Sequence, residues 1–539
     1  MRKLFAVVLI GALTASANEI SHRSLQSGSP SGPTPLHDRG IHGQGQIIAV
    51  LDTGLDINNC YFAEADGQLP PFNTGTPAGG LDWENVDLSR RKVVAYNFLF
   101  SCDQYPGRPG CDTPGDLASY DNQGHGTHAA GAAAGDKGAP VMHDFGDSVA
   151  PAAKLIVQDG GYIGGDLCTQ FPGVGCPAKL IPIFEQAYKQ GARIHSNSWG
   201  DRQGKLQNPP TANYPQSAYD VDAFVWSHPD SLVIFNTGNL GGEKRATPPS
   251  SLSAPGSAKN TLQVGGTRSA SRGDDTLAEF TLFGPARDGR IKPDLVAAAR
   301  VTGANWDFDH NPNTCDAGLD LGTSWSSPTM AGAAALVRQY YVDGFYPGGK
   351  RNAAHARTPS AALMKATLIA AARPVLRRSD LVTNRTVDAL PVPSPEQGWG
   401  FPVLDDALYF DGDTRKMRVA DVPLAQGLAQ GESATIRVRA KPGTQLRAVL
   451  VWTDPPGTVR NSIADTTPQL VNDLDLSVNA IASNDRINNV EVVKVDDPSG
   501  VYDITVKAHH LGFGPRQSYA LVITGDLEDV NVRRRVTRH

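Results

Sequence analysis

The sequence predicts an α/β domain built on a doubly wound, mostly parallel sheet, followed by a smaller all-β domain of the jelly-roll or sandwich type. In the first part of the chain, continuously apolar runs alternate with helical stretches, as in sheets whose strands are buried on both faces. After about residue 411, short strands separated by turn residues replace this alternation. A chain of 539 residues is also too long for one ordinary domain. We therefore expect a large domain over residues 40–410 and a smaller one over residues 411–527.

The amino terminus has the pattern of a secretory signal peptide over residues 1–17. It has a positively charged start, a short apolar run and the small residues Ala15-Ser16-Ala17 before the expected cleavage point. The apolar run is too short to span a bilayer, and no later run reaches about 18 apolar residues. We therefore expect a secreted protein without a membrane span. Residues 18–39, rich in Ser, Gly and Pro, are predicted to form a loose leader.

The predicted strands of the first domain share a continuous apolar character. They cover residues 46–51, 154–158, 193–196, 232–235 and 261–264. Helical stretches at residues 129–134 and 180–190 lie between them. A further helix is predicted to start at Pro328, because Pro suits the first turn and the Ala-rich residues after it favour helix. In a sheet of this kind, functional side chains lie at the carboxyl ends of the strands.

The predicted strands of the second domain are short and end at turn residues. They cover residues 434–439, 446–452, 474–478, 490–495, 502–506 and 519–523. Residues 528–539 are rich in Arg and are predicted to be a solvated, frayed basic tail.

The composition is typical of a globular protein, with 40% hydrophobic and 19% charged residues. The net charge of −6 argues against a nucleic-acid partner. We expect a monomer.

The six cysteines form an even set, for which disulfides are the expected state in an exported chain. Their spacing favours the local pairs Cys102–Cys111 and Cys168–Cys176, and Cys60–Cys315 then follows by elimination. Other pairings stay open, because the sequence does not choose among them. A zinc site is the weaker interpretation, since the spacing of zinc ligands is missing.

Three distant stretches supply the side chains that serine-mediated hydrolysis of an acyl bond needs. Asp52 follows a buried strand, His125 opens a helix of small residues, and Ser324 precedes another helix. A serine nucleophile needs a base for its proton and a carboxylate that fixes the tautomer of that base. Taken singly, each side chain has another explanation. Asp52 could be a turn residue, His125 could bind a metal together with His128, and Ser324 could cap the helix. Together, in this order, they favour catalysis.

At this point the chain resembles the subtilisin-like serine peptidases. The three main blocks are residues 46–54, 124–131 and 322–328, and further matches are residues 196–200, 236–239, 292–297 and 398–404. The resemblance covers about residues 40–410. It implies that Asp52 orients the imidazole of His125, that His125 is the general base and acid, and that Ser324 is the nucleophile. Where the family usually has Met-Ala after the nucleophile, this chain has Trp325-Ser326.

The resemblance also assigns roles around the three side chains. Asn239 falls where the family places the side-chain donor to the oxyanion, a role in which an amide N–H stabilises the tetrahedral intermediate. Ser198-Trp199-Gly200 resembles the edge segment on which an extended substrate pairs as an added strand. The open alternatives are a turn residue for Asn239 and a packed strand for this segment.

The second domain resembles the β-jelly-roll that follows the catalytic unit in one branch of the family. Its acidic residues Asp454, Asp473 and Asp475 are candidate ligands for calcium, which prefers carboxylate oxygens. The alternative is that they are turn and solvent residues. The chemistry itself is expected to need no cofactor, so calcium would be structural.

The leading hypothesis is a secreted serine endopeptidase that acts on proteins or peptides through an acyl-enzyme intermediate. The alternative is a catalytically inactive binding module on the same scaffold, suggested by Trp325 and by a leader too short for a folding prodomain. A lipase of the α/β-hydrolase type is a weaker alternative, because it needs the order Ser…Asp…His.

Overall fold

The structure of the chain is a computed structural model. It describes residues 17–75, 80–99, 113, 121, 124–138, 147–160, 179–200, 213–239, 250–268, 275–307, 315–380, 385–462, 464–528 and 535–537. Within these ranges the chain forms a large α/β unit followed by a smaller all-β unit, which confirms the predicted fold class.

The first unit combines a large sheet with six helices in its described part. Its strands are β1 (Ile47–Asp52), β2 (Phe72–Asn73), β3 (Val93–Phe98), β4 (Lys154–Asp159), β5 (Ile194–Asn197), β6 (Leu232–Asn236), β7 (Leu262–Thr267), β8 (Thr276–Leu277), β9 (Leu295–Ala298), β10 (Arg300–Ala304), β11 (Ala317–Leu321), β12 (Ala372–Arg373), β13 (Arg377–Asp380), β14 (Arg385–Asp388) and β15 (Phe401–Pro402). Its helices are α1 (Ala17–Ser27), α2 (His125–Ala134), α3 (Ile181–Lys189), α4 (Gln216–Ser227), α5 (Thr323–Val342) and α6 (Ala361–Ala370).

The centre of the sheet is parallel and has β1 in its interior. The strand order is β7-β6-β5-β1-β4-β3-β2, and every neighbouring pair in this run is parallel. All residues of β6 and of β7 are buried, as expected for parallel strands that are covered on both faces. β9 adds to β7 in parallel, and antiparallel pairing appears between β7 and β8 and between β13 and β14.

Small residues allow helix α2 to lie close to its neighbours. α2 packs against α5 and β10, and its alanines from Ala129 to Ala134 are buried. A Cβ atom built on Gly131 would stand 2.6 Å from the backbone nitrogen of Ala304, so only glycine fits there. This close packing sets the position of the first turn of α2 relative to β1.

Helix α5 begins at Thr323, which is earlier than predicted. The sequence analysis placed its start at Pro328, but Pro328 lies inside the helix. Proline lacks the N–H that would bond to the carbonyl oxygen four residues before it, which is that of Ser324. The Ser198 hydroxyl donates to this oxygen instead, at 2.6 Å. The bond from a distant residue satisfies the freed acceptor and lets the helix start before its proline.

The predicted loose leader is packed instead. Residues Ala17–Ser27 form α1, which contacts β10, and Leu25 and Leu36 are fully buried in the main core. The side-chain oxygen of Gln26 accepts hydrogen bonds from the backbone N–H groups of Leu36 and His37. The Ser, Gly and Pro content indicated a loop, but two buried leucines and this buried amide hold the segment in place.

The second unit is a sandwich of two antiparallel sheets. Its strands are β16 (Lys416–Val422), β17 (Ser433–Ala440), β18 (Leu446–Val451), β19 (Asn472–Val478), β20 (Ile481–Ser483), β21 (Val490–Val495), β22 (Gly500–Leu511), β23 (Tyr519–Gly525), β24 (Leu527–Glu528) and β25 (Arg535–Thr537). One sheet has the order β16-β23-β18-β21 and the other β20-β19-β22-β17-β24, with β25 also on β17. Alternate residues of both sheets form one core around the buried Trp452. The finer jelly-roll assignment stays a prediction. The tail was predicted to be frayed, but residues 535–537 form β25 and pair with β17.

The two units are joined by a broad, partly apolar contact. Helix α6 of the first unit packs on β18 and β23 of the second. The Arg447 side chain donates to the carbonyl oxygens of Ala370 and Ala372 at the end of that helix. The helices that the structure describes include none with the length and apolar character needed to cross a membrane.

Candidate active site

Asp52 lies at the carboxyl end of β1, at the centre of the parallel sheet. Its side chain is 1% exposed. Its Oδ1 accepts a hydrogen bond from the backbone N–H of Thr53 at 2.8 Å and lies 2.6 Å from Nδ1 of His125. The other oxygen, Oδ2, is buried without a partner among the described residues. The carboxylate is therefore directed at the imidazole ring.

His125 is the first residue of α2, and glycines on both sides place it there. Gly124 has a left-handed φ of 75°, which glycine adopts without strain. A Cβ atom on Gly126 would collide with the carbonyl oxygen of Gly54. Glycine at that position therefore lets the first turn of α2 lie against the turn that follows Asp52.

Asp121 links these two motifs and was not identified from the sequence. Its Oδ1 accepts from the Thr53 hydroxyl at 3.0 Å and from the N–H of Gly124 at 2.9 Å. Its Oδ2 accepts from the N–H and the hydroxyl of Thr127. One buried carboxylate thus holds the turn after β1 and the start of α2 together. No local pattern indicates this role, because one of the partners, Thr53, lies 68 residues before Asp121 in the chain.

The pKa of His125 is raised above its ordinary value. Burial by itself lowers this pKa, but the negative charge of Asp52 and its hydrogen bond outweigh the burial. The imidazole is 34% exposed, so the side away from Asp52 is accessible. His128, the second histidine of the motif, lies in the interior, and burial lowers its pKa to about 4. These environments agree with a proton-accepting role for His125 and a structural one for His128.

Ser324 is the second residue of α5 and is 8% exposed. Its Oγ donates to the carbonyl oxygen of Ser198 at 3.5 Å, while its own carbonyl oxygen accepts from the Ser198 hydroxyl. The hydrogen bond from Ser324 to His125 is not formed in this conformation. The start of α5 nevertheless lies close to the start of α2, because the ring of Trp325 packs 4.9 Å from the ring of His125 and the two helices are in contact.

Asn239 is held at the start of α5 by Thr323. Its Oδ1 accepts hydrogen bonds from both the backbone N–H and the hydroxyl of Thr323, each at 2.9 Å. Two donors on one oxygen fix the orientation of the amide. A methyl group built on Gly322 would stand 3.6 Å from the Nδ2 of Asn239 and 3.7 Å from the backbone nitrogen of Ser324. The two nitrogen atoms therefore lie near one common point beside Gly322.

The predicted substrate segment, Ser198-Trp199-Gly200, follows β5. The Trp199 side chain is buried, donates from Nε1 to the carbonyl oxygen of Leu51 and packs against Phe235. It is a core residue, so this segment can offer a substrate its backbone but not the Trp199 ring. Its contact with substrate stays a prediction.

The three acids predicted as calcium ligands are paired with cations. Asp454 lies 2.5 Å from Nζ of Lys259 in the other unit, and both side chains are fully buried. Arg486 pairs with both Asp473 and Asp475. Over the described ranges, no group of three His, Cys, Asp or Glu side chains is arranged to hold a metal ion. The predicted ligand set does not form a metal site here, because its carboxylates already have cationic partners. Structural calcium stays a prediction without assigned ligands.

A disulfide joins Cys60, in the loop after β1, to Cys315, which precedes β11. This pair, which the sequence analysis reached by elimination, is confirmed. The predicted pairs Cys102–Cys111 and Cys168–Cys176 lie outside the described residues.

Comparison with models of known protein families identifies the family of this chain. A model of the subtilase family matches residues 43–400. The serine protease/ABC transporter B family protein tagA of Dictyostelium discoideum is 26% identical over 94% of this chain and 32% of its own length. Subtilisin BL of Lederbergia lenta is 27% identical over 56% of this chain and 80% of its own. Among solved structures, the prenylagaramide maturation protease PagA aligns with a TM-score of 0.42 and 18% identity, covering 69% of this chain and 96% of that one. The chain spans about a third of the length of the Dictyostelium relatives.

Proposed function

The chain belongs to the subtilase family, and from this premise we propose that it is a secreted serine endopeptidase of proteins or peptides. The observation that carries the proposal is the 2.6 Å contact between Asp52 and His125, whose ring packs against Trp325, the residue after Ser324. It supports a catalytic triad because a buried carboxylate on Nδ1 fixes the tautomer in which Nε2 is the free base. The signal-peptide pattern of residues 1–17 supports secretion.

The proposed reaction begins with rotation of the Ser324 side chain away from the carbonyl oxygen of Ser198 and toward Nε2 of His125. Oγ then attacks the carbonyl carbon of the substrate as its proton passes to Nε2, and the carbonyl π electrons move onto the oxygen. The N–H groups of Asn239 and Ser324 stabilise this oxyanion. Collapse of the intermediate expels the amine, which takes the proton from His125, and leaves an ester on Ser324. Water, deprotonated by His125, then releases the acid.

The test is covalent labelling of the full chain with a fluorophosphonate, combined with hydrolysis of denatured casein. We expect stoichiometric labelling that peptide mass spectrometry maps to Ser324, together with casein cleavage. A folded protein that neither labels nor cleaves would instead support the alternative, a catalytically inactive binding module. That alternative is favoured by one observation, the bond of Ser324 Oγ to Ser198 rather than to His125. Repeating the casein assay with a chelator tests the predicted calcium.

The pH dependence of kcat/KM should reveal the raised pKa of His125. Only neutral imidazole accepts the serine proton, so activity rises as pH passes through this pKa. Because Asp52 raises the pKa, we expect the rising limb above pH 6.5, the ordinary value for histidine. Asp52→Asn removes the negative charge, so the limb should move to lower pH and kcat should fall by about 10⁴-fold. The measurement is kcat/KM for a peptide substrate between pH 4 and 10, and a wild-type limb below pH 6.5 contradicts the assignment.

A further inference from the structure

Trp325, which follows the nucleophile where the family usually has Met, has a buried donor that nothing satisfies. The side chain is 3% exposed, and its ring packs 4.9 Å from that of His125 and 4.2 Å from that of His128. An indole ring carries one hydrogen-bonding group, the Nε1–H donor. Within the part of the chain that the structure describes, this donor is buried without an acceptor. A buried N–H without a partner is rare and costs stability, so it requires an explanation.

The surroundings of this N–H supply one. A Cβ atom built on Gly322 would have three nearest neighbours, and all three are nitrogen atoms that carry hydrogen. They are Nδ2 of Asn239 at 3.6 Å, the backbone nitrogen of Ser324 at 3.7 Å and Nε1 of Trp325 at 3.7 Å. The first two are the donors assigned above to the oxyanion. The indole nitrogen therefore lies at the same point beside Gly322 as these two donors.

We propose that Nε1–H of Trp325 is a third hydrogen-bond donor to the oxyanion of the tetrahedral intermediate, so that Trp325 is a catalytic residue. This inference rests on the proposed function. Ser324 Oγ bonds to the carbonyl carbon, its proton goes to His125, and the carbonyl oxygen gains the negative charge. The indole keeps its proton and donates a hydrogen bond to that oxygen.

The unpaired N–H destabilises the free enzyme, and its hydrogen bond to the oxyanion removes this destabilisation in the transition state. In the free protein the N–H is buried and unpaired. When the oxyanion forms, the N–H gains a charged acceptor, and hydrogen bonds to charged groups are the stronger kind. An interaction made only in the transition state raises kcat without tightening the binding of substrate. The rigid indole ring packs against His125 and His128, so it is also fixed in position before the reaction.

The experiment compares the full-length wild type with Trp325→Phe, which keeps an aromatic ring against the two histidines and removes the N–H. We expect kcat to fall by about 10- to 100-fold with KM little changed. The affinity for a peptidyl trifluoromethyl ketone, which forms an oxyanion on Ser324, should fall by the same factor. The affinity for the corresponding product acid should not change. Asn239→Leu, which removes an assigned donor, serves as the reference and should lose about 10²- to 10³-fold in kcat.

A purely structural role for Trp325 would give other results. If the ring only positions His125, Trp325→Phe shifts the acidic limb of kcat/KM, whereas loss of the donor leaves it in place. A second measurement needs no variant that turns over substrate. In the ¹⁵N-labelled wild type, the indole proton of Trp325 should move downfield when the ketone binds, and Trp325→Phe assigns this resonance by its loss.

Three results overturn the inference while leaving the proposed function intact. These are a kcat of Trp325→Phe within about twofold of the wild type, an unchanged affinity for the ketone, or an indole proton that does not move when the ketone binds. If Trp325→Phe does not fold, the indole resonance is assigned by selective labelling. A downfield shift of this resonance on binding of the ketone then supports the inference, and the absence of a shift overturns it. A folded wild type that neither cleaves peptides nor binds the ketone overturns the proposed function, and this inference with it.

Discussion

Ser324→Ala is expected to lower kcat by about a millionfold and to abolish fluorophosphonate labelling. The hydroxyl is the proposed nucleophile, so its removal takes away the group that attacks the substrate. The fold should be unaffected, because Oγ makes one long hydrogen bond of 3.5 Å to Ser198. We therefore expect the free energy of unfolding to change by less than about 1 kcal/mol. The measurements are kcat on a peptide substrate and urea unfolding of the same preparation.

The matched control is Ser326→Ala, two residues along the same helix. Ser326 is fully buried, and its hydroxyl donates to the carbonyl oxygen of Ala297, so it has no access to substrate. This variant should keep labelling and most of its activity. Adding His125→Ala to Ser324→Ala should cost little more, since residues that act as one unit are not additive. Persistent labelling of folded Ser324→Ala would refute the assignment of the nucleophile.

Lys259→Met is expected to lower the free energy of unfolding by about 3–5 kcal/mol, because it leaves a buried carboxylate without its cation. The Nζ of Lys259 donates to Asp454 and to the carbonyl oxygens of Pro455 and Gln469, all in the second unit. Both charged side chains are fully buried. Methionine fills a similar volume, so the loss reports the unpaired charge of Asp454 together with the two carbonyl oxygens that lose their donor. Urea unfolding followed by fluorescence measures it.

Two further variants distinguish the effect of the unpaired charge from non-specific destabilisation by the substitution. Lys259→Met combined with Asp454→Asn should recover more than half of the loss, because asparagine is neutral and its oxygen can still accept from the N–H of Asn472. Arg437→Met breaks an exposed ion pair with Asp503 and should leave the free energy of unfolding nearly unchanged. If the double variant is no more stable than Lys259→Met, the buried charge is not the cause.

The secondary structure of the first unit was largely predictable from local pattern. The strand predicted over residues 46–51 is observed at Ile47–Asp52, and the helix predicted over residues 180–190 at Ile181–Lys189. Continuous apolar runs identify strands that are buried on both faces, whichever elements cover them. The predicted start of α5 was wrong. Pro328 leaves the carbonyl oxygen of Ser324 without its helical donor, and this oxygen accepts instead from Ser198, which lies 126 residues earlier.

For the second unit, local pattern predicted the strands but not the partners of its acids. Alternating burial along β17 agrees with the predicted sandwich. Asp454 was predicted as a calcium ligand together with Asp473 and Asp475, yet the structure buries it against Lys259 across the contact between the two units. A charge partner from another unit leaves no trace in the sequence around the acid.

By itself the sequence determined the chemistry present: a carboxylate after a central strand, an imidazole that opens a helix, and a serine beside small residues. These depend on residue type and local periodicity, which a single chain displays directly. Only the tertiary structure decided how they meet. It placed Asp121 between two motifs, turned Ser324 toward Ser198, and brought the indole nitrogen of Trp325 next to Gly322. Those outcomes depend on contacts between segments far apart in the chain, where packing and hydrogen bonding, not local preference, set the geometry.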